Sequence, residues 1–73
     1  MLDTTRFGNA VRAKRISDQL SLRQCAVVTY VSAATISRVE RGEKPDVDTF
    51  GQLCKWMKVD PLRYFVVDPE RDI

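Results

Sequence analysis

The stretch LSLRQCAVVTYVSAATISRVERG, running from Leu20 to Gly42, decides how this chain folds. Ser21 is a good helix N-cap, and Leu22, Cys25, Ala26 and Thr29 follow it at the spacing of one helical face. Ser32 opens a further helix in the same way, with Ile36 and Val39 pointing inward, and Gly42 closes it as a residue free to turn left-handed. Two helices that cross after a tight turn need a small residue at the crossing, a turn between them, and apolar residues on the second facing the first. Ala26 meets the first need, Thr29-Tyr30-Val31 the second, and Ile36 with Val39 the third. The β-branched run Val27-Val28-Thr29-Tyr30-Val31 is the only competitor for a strand. A lone strand would find no partner elsewhere in the chain, so the helical reading prevails.

Working outward, Asp3, Thr4 and Thr5 precede Phe7, Ala10 and Val11, which recur at helical spacing up to the basic pair Lys14-Arg15. That predicts a first helix. After the Gly42 to Pro45 turn, Asp46 or Asp48 caps a fourth, with an inward stripe of Val47, Phe50, Leu53, Cys54 and Met57. Asp60-Pro61 has the form of a cap followed by a preorganised first helical residue, opening a short fifth helix from which Tyr64 and Phe65 fold back as anchors. Residues 66–73 have no usable period. The expectation is therefore an all-α, compact five-helix domain over residues 1–66, followed by a C-terminal tail over 67–73.

Seventy-three residues, 44% hydrophobic and 30% charged, allow one small soluble domain with a simple core. The net charge of +2 hides an asymmetry: residues 1–45 carry eight Lys/Arg against four Asp/Glu, and residues 46–73 carry four against six. One half therefore favours an anionic partner, with nucleic acid the usual case. No apolar run reaches the roughly 20 residues that span a bilayer, and the first residues lack the pattern of a signal peptide, which predicts a cytoplasmic protein without membrane contact. With no histidine, no CxxC, and two cysteines at core spacing, the chain implies no metal, no cofactor and two buried free thiols. It also lacks a nucleophile and base pair and has too little chain for a substrate pocket, so it is not read as an enzyme.

The Leu20 to Gly42 segment resembles the helix-turn-helix of the Cro and phage-repressor (XRE-like) DNA-binding family, in which segments of the form LSLRxxAxxxGVSxxTISRxERG are common. The similarity extends over roughly residues 5 to 65. It implies a lambda-repressor-like domain whose helices 2 and 3 form the helix-turn-helix. It also implies a transcription regulator, a repressor acting as a homodimer, that reads palindromic double-stranded DNA with helix 3 in the major groove. By resemblance, Ala33, Ala34, Ser37 and Arg38 face the bases, with Arg38 suited to guanine and the alanines to a thymine methyl. Leu22 through its backbone N–H, Arg23, Ser32, Thr35, Arg41 and Lys44 are the expected phosphate contacts. Glu40 is assigned to structure, paired with Arg15 at the end of helix 1.

Three positions depart from the family pattern. Tyr30 stands where glycine is usual, so either helix 2 runs on or packing of the ring absorbs the strain. Val27 and Val28 replace polar, outward residues: either an altered helix 2 buries one of them, or with Tyr30 they form a candidate surface for another regulatory protein. That surface supports an alternative reading, a protein-binding adaptor of the antitoxin or anti-repressor type. Lys58 takes the place of a glycine often found after helix 4. Trp56, Tyr64, Phe65 and Val66 are the candidate dimer interface.

Overall fold

The computed structural model describes residues 1–66, so the tail over 67–73 lies outside the described residues. The order is α1 (Thr4–Ser17), α2 (Leu22–Thr29), α3 (Ala33–Glu40) and α4 (Val47–Met57), followed by a 3-10 turn (Pro61–Tyr64). The expected fifth helix is thus one tight turn. Asp60 caps the Leu62 N–H and Pro61 supplies the first residue, but the chain then leaves in extended form at Phe65. There it pairs with the N-terminus: Leu2 and Phe65 form an isolated antiparallel bridge, and Val66 N–H donates to the Met1 carbonyl at 2.7 Å.

Each α-helix begins on a side-chain cap: Asp3, Ser21, Ser32 and Asp46 accept from the N–H three residues on. Each also ends on a left-handed residue, namely Gln19, Tyr30, Gly42 and Lys58, of which only one is glycine. At α1, α3 and α4 the closure is a doubly bonded Schellman turn; in α3, Gly42 N–H donates to the Val39 carbonyl and Glu43 N–H to that of Arg38. α2 closes with a single bond, from Tyr30 N–H to the Ala26 carbonyl at 3.0 Å. Neither expected remedy for Tyr30 is used. α2 stops at Thr29, and Tyr30 takes φ 61° and is 87% exposed. A left-handed L-residue costs about 1 kcal/mol, and no packing of the ring offsets it here. The turn is held from inside instead: the buried Thr29 hydroxyl donates to the Cys25 carbonyl at 2.8 Å and accepts from Val31 N–H at 3.3 Å.

The core gathers Phe7 and Val11 of α1, Cys25 of α2, Val31 of the turn, Ile36 and Val39 of α3, Leu53 and Cys54 of α4, and Tyr64. Phe7 meets Phe50 at 4.8 Å between ring centroids and Tyr64 edge-on at 5.3 Å, joining α1, α4 and the final turn. Both cysteines are free and buried. Two expected roles change. Val47, in the first turn of α4, lies beyond the edge of the core and is 85% exposed, leaving Phe50, Leu53, Cys54 and Met57 as the inward stripe. Tyr64 is a core residue and so drops out of the candidate dimer surface. α1 and α3 cross at Gly8, where an added Cβ would run into the Val39 carbonyl. Only glycine allows that approach.

A candidate nucleic-acid interface on the third helix

α3 has one dry face and one wet face. Ile36 and Val39 point into the core, and Glu40 is drawn to the same side by Arg15 of α1. The pair is bidentate, with Arg15 Nε donating to Glu40 Oε2 at 2.7 Å and Nη2 to Oε1 at 3.0 Å, and both side chains are largely buried. Hydrogen bonding to Glu40 raises the Arg15 pKa above its already high value. Removal of that carboxylate from the outer face leaves Ala34, Arg38 and Arg41 exposed there, flanked by the half-buried Ala33, Thr35 and Ser37.

The N-terminal part of this face is wired together. Ser32 Oγ accepts from Thr35 N–H at 3.2 Å and donates to Thr35 Oγ1 at 2.8 Å, and Arg38 Nη2 donates to the same hydroxyl at 3.1 Å. One turn separates each member from the next, so the three lie in a row and the guanidinium folds back toward the start of the helix. That start carries the positive end of the helix dipole and no acidic residue in its first turn.

Thr35, Arg38 and Lys44 also line one shallow cleft, which continues to Thr49 at the start of α4. Two carboxylates share it, Glu43 and Asp46. Asp46 is committed to capping: bonding to Thr49 holds its carboxyl below the usual range. Glu43 lies 3.5 Å from Arg41, an exposed and weak pair that draws Arg41 toward the end of α3.

At the start of α2, Ser21 and Gln24 form a reciprocal capping box: Gln24 N–H donates to Ser21 Oγ, and Ser21 N–H to Gln24 Oε1. The Leu22 and Arg23 N–H groups have no hydrogen-bond acceptor among the described residues, and Arg23 is exposed beside them. Of the remaining sequence candidates, Val28 and Tyr30 line a separate groove with Trp56, whereas Val27 stands apart, 75% exposed. The role of Thr29 inside the turn escaped the sequence reading, because a threonine at apolar spacing carries no sign of which backbone groups it will bind. Arg15 also donates to the Leu20 carbonyl at 3.0 Å, a bond equally invisible from spacing.

Among the described residues, no cluster of His, Cys, Asp or Glu has the form of a metal site, and no helix is long and apolar enough to cross a membrane. No protein-family model matches the chain, and no curated protein matches it. Solved structures do. The restriction-modification controller protein C.AhdI from Aeromonas hydrophila is similar with a TM-score of 0.69 and 23% identity, over 86% of this chain and 97% of that one. The clp gene regulator ClgR from C. glutamicum is similar with a TM-score of 0.65 and 25% identity, over 88% of this chain and 84% of that one. The chain thus has the all-helical helix-turn-helix fold of Cro-type regulators.

Proposed function

We propose that the chain is a sequence-specific double-stranded-DNA-binding transcription regulator and not an enzyme, with α3 as its reading helix. The observation that carries this reading is the outer face of α3, where Ala34 and Arg38 are exposed and the helix's own carboxylate, Glu40, is turned away into its bond with Arg15. A guanidinium so presented grips guanine O6 and N7, a contact worth about 1–3 kcal/mol of discrimination. Ala33 and Ala34 offer methyl groups to thymine, and Ser37 a hydroxyl to either base. Ser32, Thr35, Arg41 and Lys44, with Arg23 and the Leu22 N–H at the head of α2, take phosphates and set the register. The two solved neighbours, named as a controller protein and a gene regulator, support a regulatory role.

The finer reading is a cytoplasmic homodimeric repressor on a palindrome with half-sites about one helical turn apart. A domain this small buries little DNA surface alone, and two-fold symmetry doubles its contacts. The exposed apolar residues Leu62, Phe65 and Val66 near the chain-end bridge are the surface for that pairing. Selection from a random duplex library tests the proposal. Enrichment of a palindrome containing a guanine, with that preference lost in Arg38→Ala, supports it; no enriched sequence at all refutes it. Repression is read separately, from a reporter whose promoter overlaps the selected site.

A further inference from the structure

Among the described residues three non-glycine residues have positive φ, and two of them, Tyr30 and Lys58, line the same groove. It has a volume of about 270 Å³ and lies between the C-terminal ends of α2 and α4, with Val28, Gln52, Lys55 and Trp56 among its walls. That size suits one or two side chains rather than a drug-sized molecule. Tyr30 holds a strained backbone yet is 87% exposed, and Val28 is half exposed beside it. Strain with no return in packing points to use by something outside the fold.

Among the described residues the charges that line the groove are of one sign. Lys55 and Lys58 are exposed and form no ion pair among the described residues. A third cation, Lys14, lies over the Trp56 ring at 5.8 Å from its centroid and is balanced by Asp18 at 3.0 Å. Among the described residues no carboxylate lines the groove. An apolar floor under two ammonium groups without a counter-ion among the described residues matches an acidic polypeptide that brings a large apolar side chain. A nucleic-acid backbone would satisfy the lysines but leave Val28, Tyr30 and Trp56 against a hydrated, polar chain.

We propose that this groove docks an acidic segment of a partner protein, seating an aromatic or branched aliphatic side chain on Val28, Tyr30 and Trp56 while its carboxylates meet Lys55 and Lys58. The surface is separate from the outer face of α3, so the proposal stands or falls independently of DNA reading.

Trp56 is the only tryptophan in the chain and reports on the site directly. A displayed library of random peptides is panned on the intact, immobilised protein, and an enriched peptide is then synthesised and titrated against it in solution. The expected peptides combine Asp or Glu with Phe, Trp or Leu, and their binding shifts the Trp56 emission. Affinity should fall at least about ten-fold in Tyr30→Gly and in the double variant Lys55→Gln with Lys58→Gln. All three positions are exposed, and circular dichroism melts verify that each variant is folded. The proposal is overturned if no peptide is enriched, if the enriched peptides lack acidic residues, or if binding is unchanged in folded variants. A Trp56 shift produced by protein concentration alone, or by random duplex DNA alone, overturns it equally, since the occupant would then be a second copy or nucleic acid.

Discussion

Arg15 holds Glu40 in two parallel hydrogen bonds while its third nitrogen donates to the Leu20 carbonyl. A single side chain therefore ties the end of α1 to the loop before α2 and to the last turn of α3. Glu40→Gln removes the charge but keeps the shape, and it should lower stability by about 1–3 kcal/mol because the guanidinium stays partly buried without its counter-ion. In a domain of this size that is a fall in Tm of at least about 5 °C, measurable by circular dichroism. An unchanged Tm would mean that the pair is incidental.

The four left-handed helix ends make a second prediction with opposite signs at different sites. Gln19→Gly should raise stability by up to about 1 kcal/mol, since it relieves a strained backbone but adds freedom to the unfolded chain. Gly42→Ala should lower it by about 1 kcal/mol or more, because φ is 93° there although nothing crowds the added methyl. Urea denaturation of the two variants checks both.

Thr35 is expected to act through Arg38. Thr35→Val keeps the volume and leaves the Ser32 cap on the residue 35 N–H, but it removes the hydroxyl that holds the guanidinium back along α3. Binding to a selected site should weaken roughly three- to ten-fold, partly through the lost phosphate contact, and preference for the guanine should shrink. Competition between the selected site and a guanine-substituted site separates the two effects. Equal weakening on both sites would assign Thr35 to phosphate alone.

The two thiols should be silent. Burial pushes the pKa of both Cys25 and Cys54 up, so both stay protonated in the fold at neutral pH. Iodoacetamide at pH 8 should label them only as fast as the domain opens, and labelling should accelerate in urea. A thiol pKa raised on folding favours the native state below the unfolded value of about 8.5, and this contribution is lost as pH climbs through the folded value. Stability should therefore decline on the alkaline side.

Thr29→Val is the sharpest test of the turn. It removes both the acceptor of the buried Val31 N–H and the donor to Cys25, and should cost about 1–3 kcal/mol by thermal melt although valine fits the space.

The helix starts were legible in the sequence because Ser21, Ser32 and Asp60 cap by short-range chemistry that depends on little else. The ends were legible in part: glycine marked Gly42, and Tyr30 and Lys58 were read as standing at glycine positions of the family pattern, but nothing local marked Gln19 as the left-handed end of α1. The Phe50, Leu53, Cys54 and Met57 stripe was readable from its period, but Val47 was misplaced because periodicity does not say where the core ends. The last helix shrank to a single turn for a similar reason. A cap and a proline predict how a helix begins, whereas here the chain is taken over by pairing with residues 1–3, a distant partner that no local pattern reveals. The outer face of α3 was visible as a motif. The groove beside Trp56 was not, since it needs two helices far apart in sequence to end side by side.

The contact of Gly8 with the Val39 carbonyl has a mechanical consequence. Backbone against backbone leaves no side chain at that crossing to shift its rotamer, so α3 is registered on α1 like a blade set in its handle. On the proposed reading such a helix has no swing of its own with which to follow an imperfect groove. The duplex must bend to suit the protein, and sequences would then be sorted by how readily they yield as well as by the edges they display.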